Sequence, residues 1–107
     1  MKDLMGMMKK AQEFQQRAQD MQAEAAAHMV DGTAGAGMVV VTMTAKGDLQ
    51  GVKIDPSLFK PEEAEIVEDL IVAAHADARR KGEEFMQQKM SEMTAGLPIP
   101  PGMKFPF

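Results

Sequence analysis

The chain has 107 residues, no cysteine, no tyrosine or tryptophan, five phenylalanines and a formal net charge of −4. This length favours one small domain and excludes a catalytic domain joined to a regulatory one. The lack of cysteine excludes thiol chemistry and thiolate metal sites, and so few aromatic rings argue against a protein that stacks single-stranded bases. No apolar run is long enough to cross a membrane and no signal peptide is evident, so we expect a cytoplasmic protein.

The first predicted element is a long helix from about Asp3 to His28. Apolar or small residues recur along it at alternating steps of three and four, which is typical of one helix face. These positions are Leu4, Met7, Ala11, Phe14, Ala18, Met21, Ala25 and His28. The stripe is narrow and rich in alanine, so it predicts close packing against another helix.

Three antiparallel strands are predicted to follow, because β-branched residues are frequent between residues 29 and 55. They are Met29–Thr33, Met38–Ala45 and Leu49–Asp55. Val39, Val41 and Met43 alternate along the second strand and are expected to share one face. The dipeptide Lys46–Gly47 is typical of a hairpin turn, since glycine tolerates positive φ.

A second helix is predicted from Pro61 to about Met93, with its first half buried and its second half projecting. Proline suits the first helical position, and the glutamates that follow it place negative charge at the positive end of the helix dipole. Four prolines between residues 94 and 107 exclude a regular helix or strand there. We therefore predict one α-β-β-β-α domain over residues 1–93 and a proline-rich tail over residues 94–107.

The segment GTAGAG, from Gly32 to Gly37, resembles a phosphate-binding loop only in its glycine content. A dinucleotide fingerprint needs glycines that open a helix, and a P-loop needs a lysine followed by serine or threonine. Here the strand residues Met38 and Val39 follow instead. The interpretation is a tight connection between two strands, and a nest of backbone amides that binds an anion stays as an alternative.

The remaining candidates for chemistry are His28, His75 and the acidic run EEAEIVED. Neither histidine has a second ligand at metal-binding spacing, and the acidic residues lie where the start of a helix explains them. We predict no catalytic residue, no cofactor, no metal site and no small-molecule substrate. The protein is therefore not expected to be an enzyme.

Two basic clusters remain as candidates for binding an anionic partner. They are Lys9, Lys10 and Arg17 on the first helix and Arg79, Arg80 and Lys81 on the second. The alternative is that each cluster is a solvated helix face with acidic partners four residues away, as Glu13 is from Lys9 and Glu84 from Arg80.

Three strands and two long helices cannot cover both helix stripes and both sheet edges in a single copy of the chain. Exposed strand edges and an uncovered helix stripe both favour a partner, and a second copy related by a two-fold axis is the simplest one. The sequence therefore predicts a homodimer.

Four segments together resemble the YbaB/EbfC family of bacterial nucleoid-associated proteins, in the same order and over nearly the whole chain. They are MGMMKKAQEFQQRAQDMQAE, GTAGAGMVVVTMTAKGDLQGVKIDPSLF, EDLIVAAHADARRK and LPIPPGMKFPF. The resemblance implies an α+β fold in an intertwined, tweezer-like homodimer that binds double-stranded DNA through its helices and associates with the nucleoid. By their charge and their place on the helices, the six basic residues above become candidates for contact with DNA. Such contacts imply binding with little sequence specificity.

A second interpretation is a dimeric protein-interaction or chaperone-like module. Twelve methionines provide adaptable apolar side chains with which two helices can bind partner proteins. Salt distinguishes the two functions, because phosphate contacts weaken with salt and apolar contacts do not.

Overall fold

A computed structural model describes residues 2–94 of the protein, and their architecture confirms the predicted α+β order. The elements are helix α1 (Lys2–Ala27), strands β1 (Met29–Ala34), β2 (Val39–Thr44) and β3 (Leu49–Ile54), 3-10 turns at Pro56–Leu58 and Pro61–Glu63, and helix α2 (Ala64–Thr94). Pro61 thus opens a 3-10 turn, and the α-helix begins three residues later than predicted. The predicted tail lies outside the described residues, except for Thr94.

The three strands form an antiparallel sheet with β2 in the centre, and α2 lies across one face of β1 and β2. The predicted face of β2 is confirmed, because Val39, Val41 and Met43 are all buried against α2. Strand β3 extends beyond the helix and is mostly exposed. The hydrophobic core therefore occupies only part of the sheet.

Helix α2 lies very close to β1 at Gly32. A Cβ atom on Gly32 would overlap the carbonyl oxygen of Ala74 and the amide nitrogen of Ala78. Both alanines are completely buried. Both overlapping atoms belong to the backbone of α2 and cannot move unless the whole helix moves. This packing therefore requires glycine at position 32.

The other glycines of GTAGAG form the connection between β1 and β2, as predicted. Gly35, Ala36 and Gly37 have φ values of 62°, 56° and 89°, in the region that glycine adopts most readily. The amide of Met38 donates a hydrogen bond of 3.2 Å to the carbonyl of Gly35. Strand β1 extends to Ala34, so Gly32 belongs to the strand and not to the turn.

Helix α1 packs antiparallel against the second half of α2. The rings of His28 and Phe85 stack 3.9 Å apart, and Lys89 forms an ion pair of 3.2 Å with Glu24. The predicted stripe is confirmed over the second half of α1, where Met21 and Ala25 are buried. The first turns of α1 extend past the end of α2 and are exposed.

Neither α1 nor α2, within the described residues 2–94, is long and apolar enough to cross a membrane.

Candidate nucleic-acid interface

Three basic residues of α1, namely Lys9, Lys10 and Arg17, are exposed. Lys9, Lys10 and Arg17 form no ion pair with any of residues 2–94, and the predicted pair of Lys9 with Glu13 is absent from this range. At about 100° per residue, Lys9 lies opposite the apolar stripe, whereas Lys10 and Arg17 lie along one edge of it. Arg17 lines a cavity with the stripe residue Met21. These side chains are therefore available to an anionic partner.

The basic residues of α2 are in contrast paired with acidic neighbours. Arg80 contacts both Asp77 and Glu84 at 2.8 Å, which confirms the predicted pair with Glu84. Arg79 contacts Glu83 at 3.3 Å, and its side chain stays 70% exposed. The α2 cluster thus carries less uncompensated charge than its sequence indicates.

Asp77 and Lys81 also tie α2 to the free edge of β1. The amide of Thr33 donates a hydrogen bond of 3.0 Å to the Asp77 carboxylate, and the Lys81 ammonium donates one of 2.6 Å to the carbonyl of Asp31. The Thr33 amide, followed by Arg80 and Lys81, lowers the pKa of Asp77 to about 2. Both side chains therefore satisfy backbone groups that would otherwise be open at a strand edge.

The lowered pKa of Asp77 predicts a loss of stability in acid. Because its pKa is about 2 in the folded protein, against an ordinary aspartate value of 3.8, the unfolded chain binds more protons as pH falls. The stabilisation should be complete above about pH 5 and disappear toward pH 2. Between about pH 5 and pH 2 the free energy of unfolding should fall less for Asp77→Asn than for the unmodified protein. Urea denaturation at several pH values measures this difference.

Asp69→Asn provides the matched control, because Asp69 is exposed on the same helix and forms no ion pair within the described residues. It should keep the unmodified pH dependence. Equal pH dependence in the Asp77 variant and the unmodified protein would contradict this role of Asp77.

The structure does not bring the two basic clusters together within one chain. The contact of Glu24 with Lys89 fixes the register of the two helices. At about 1.5 Å per residue, Arg80 lies roughly 24 Å along the helix pair from Arg17 and roughly 35 Å from Lys9. One chain therefore presents two separate basic surfaces.

Two further cations were not predicted as functional residues. Lys46, in the turn between β2 and β3, lines a cavity of about 440 Å³ together with Arg79, His75 and Glu83. Its sequence context indicates only a turn, since the contact with α2 is not local. Lys89 lies 5.6 Å from the centre of the Phe85 ring, and its pKa is raised, chiefly by its hydrogen bond with Glu24.

Comparison with known proteins connects this arrangement to one family. A family model described as the YbaB/EbfC DNA-binding family matches residues 1–97. Nucleoid-associated proteins of Agrobacterium fabrum and Rhizobium meliloti are 57% and 56% identical to the chain over 107 residues, and both alignments cover each chain completely. An uncharacterized protein from Helicobacter pylori has the same fold, with a TM-score of 0.71 at 21% identity over 81% of this chain and 91% of its own. With a family match over nearly its whole length, the chain belongs to the YbaB/EbfC DNA-binding family.

Proposed function

We propose that this protein is a nucleoid-associated, homodimeric protein that binds double-stranded DNA with little sequence specificity and catalyses no reaction. Family membership supports DNA as the partner, and the names of the relatives support a place in the nucleoid. The observation that carries the proposal is the exposure of Lys9, Lys10 and Arg17 on α1, where they form no ion pair with any of residues 2–94. Their charge suits the phosphate backbone of DNA.

Under this proposal the six basic residues contribute unequally to DNA binding. Within residues 2–94 the α1 cluster has no ion pair to give up, so its charge is available to phosphates. Arg79 is mostly exposed and has one weak surface pair, which it can exchange for a phosphate at little cost. Arg80 and Lys81 are held by Asp77 and serve the contact between α2 and β1 first.

Little sequence specificity follows from the same distribution of charge. Lysine and arginine on a helix surface contact phosphates, which carry no sequence information, whereas sequence is read at base edges. The acidic first half of α2 repels DNA and leaves the α1 side for contact. Binding is therefore expected to depend on salt much more than on sequence.

A salt titration of binding to two unrelated DNA duplexes tests the proposal. We expect the affinities for the two duplexes to agree within about threefold. For each duplex, a plot of the logarithm of affinity against the logarithm of salt concentration should have a steep negative slope. Affinity that does not change with salt would overturn the proposal. It would favour the second candidate, a protein-interaction module, which the exposed Leu4, Met5, Met7 and Met8 of α1 support.

The homodimer is proposed to form at the sheet edge formed by β3. This strand pairs only with β2 within the described residues, so its outer backbone groups can pair with an equivalent strand. Beside it, Leu49 and Val52 of β3 and Val72 of α2 line an apolar groove of about 330 Å³ and are all exposed. A second copy of the chain covers both the edge and the groove.

Val72→Asp is expected to convert the dimer into a monomer. Val72 is 69% exposed in the single chain, and two-fold symmetry would bury an unpaired charge twice at the interface. We expect the dimer Kd to rise by at least about 100-fold, measured by analytical ultracentrifugation of the 11.7 kDa chain.

Met5→Asp is the matched control, since Met5 is equally apolar and exposed on a helix but lies far from β3. The control should stay dimeric. If Val72→Asp stays dimeric as well, the interface lies elsewhere on the protein.

A further inference from the structure

Helix α1 carries an exposed apolar surface on its first turns. Leu4, Met7 and Met8 are 56%, 65% and 57% exposed, and they adjoin one another because residues three and four apart share a helix face. Together with Ala11 they form the first part of the apolar stripe of α1. Beyond Phe14, the same stripe is covered by α2. We call Leu4, Met7, Met8 and Ala11 the α1 tip surface.

Within the described residues helix α2 ends at Thr94, roughly 12 Å along α1 from the nearest residue of the α1 tip surface. Met93 is buried and lines a cavity with Arg17 and Met21 of α1. Because the two helices are antiparallel, the chain leaves α2 at Thr94 in the direction of the first turns of α1. The segment that follows Thr94 in the sequence therefore starts within reach of the uncovered stripe.

Residues 95–107 have the length and composition to cover this surface. At about 3.1 Å per residue an extended chain of this length reaches roughly 40 Å, whereas α1 spans about 15 Å from Leu4 to Phe14. The three prolines at positions 98, 100 and 101 cannot continue α2 as a helix. The apolar side chains of the segment are Leu97, Ile99, Met103, Phe105 and Phe107.

We propose that residues 95–107 dock in extended form on the α1 tip surface of the same chain. The short connection from Thr94 gives the segment a high effective concentration at this surface, which favours it over a second copy or another protein. Helical geometry places Lys9 on the side of α1 away from the α1 tip surface and Lys10 at the edge of that surface. The docked segment thus covers the apolar side of α1 and leaves the basic side accessible, independently of whether DNA is the partner.

A spin-label experiment on the full chain tests this docking. The chain has no cysteine, so Lys104→Cys gives a single site for a nitroxide, and nearby amide signals lose intensity in an NMR spectrum. We expect the signals of residues 4–14 to lose at least half their intensity. Leu4→Gln combined with Met7→Gln should abolish this loss, whereas Met5→Gln, which lies off the stripe, should preserve it.

Two outcomes would overturn the proposal. The first is undiminished signals from residues 4–14 in the labelled chain. The second is a loss of signal in a refolded mixture of isotope-labelled chains without nitroxide and unlabelled chains with it, because that loss would place the segment on a second copy. Since neither readout uses DNA, failure here leaves the proposed DNA binding untouched.

Discussion

Replacing Lys9 and Lys10 together with glutamine is expected to flatten the salt dependence of DNA binding by about three to four units of logarithmic slope. The proposed dimer would lose four charges from its proposed phosphate contacts, and each such contact contributes about 0.9 to the slope on duplex DNA. Glutamine is a good helix former, so α1 should stay intact. Fluorescence anisotropy with a labelled duplex between about 50 and 200 mM salt measures the slope.

Lys53→Gln combined with Lys60→Gln removes the same charge from exposed positions outside both helices. Because Lys53 lies on β3, where the dimer is proposed to form, ultracentrifugation must first show that this variant stays dimeric. This control should keep the original slope to within about one unit. If both double variants flatten the slope equally, DNA responds to the total charge of the protein and α1 is not the contact surface.

Gly32→Ala is expected to lower the free energy of unfolding by about 3 kcal/mol or more. The added methyl group would meet the backbone of Ala74 and Ala78, and forced overpacking of a core commonly costs about 1 to 3 kcal/mol even where side chains can move. Here α2 itself must shift away from β1, which also disturbs the hydrogen bond between Thr33 and Asp77. Urea denaturation followed by circular dichroism measures the change.

Gly51→Ala is the appropriate comparison, because Gly51 also lies in a strand but a Cβ atom added there would meet no other atom within 4 Å. We expect its free energy of unfolding to change by less than about 0.5 kcal/mol. Similar losses in the two variants would mean that glycine flexibility matters at position 32, and close packing does not.

The order and type of the elements could be predicted because they depend on local patterns. The period of α1 and the alternation of Val39, Val41 and Met43 are properties of neighbouring residues, and the structure confirms both. The role of Gly32 could not be predicted, because it depends on a helix more than forty residues away. Only the contact with α2 distinguishes Gly32 from the glycines of the turn.

The contacts of the candidate interface could likewise be predicted only where they are local in the sequence. The pair of Arg80 with Glu84 is a local contact and was predicted. The contacts of Asp77 with Thr33 and of Lys81 with Asp31 join positions 44 and 50 residues apart, and no local pattern indicates them. For this reason the sequence alone shows two equivalent basic clusters, whereas in the described part of the chain the α1 cluster forms no ion pair and the α2 cluster is paired with acidic residues.

The contacts of Asp77 and Lys81 with β1 also limit how many copies can assemble. A sheet with two open edges can add a neighbour on each side and grow into a fibre. Side chains of α2 occupy two backbone groups at the β1 edge, the Thr33 amide and the Asp31 carbonyl, so among the described strands β3 is the edge that is open to strand addition. If two copies join there, as proposed, the two outer edges of the pair are the β1 edges that α2 already engages, and growth by strand pairing is expected to stop at the pair.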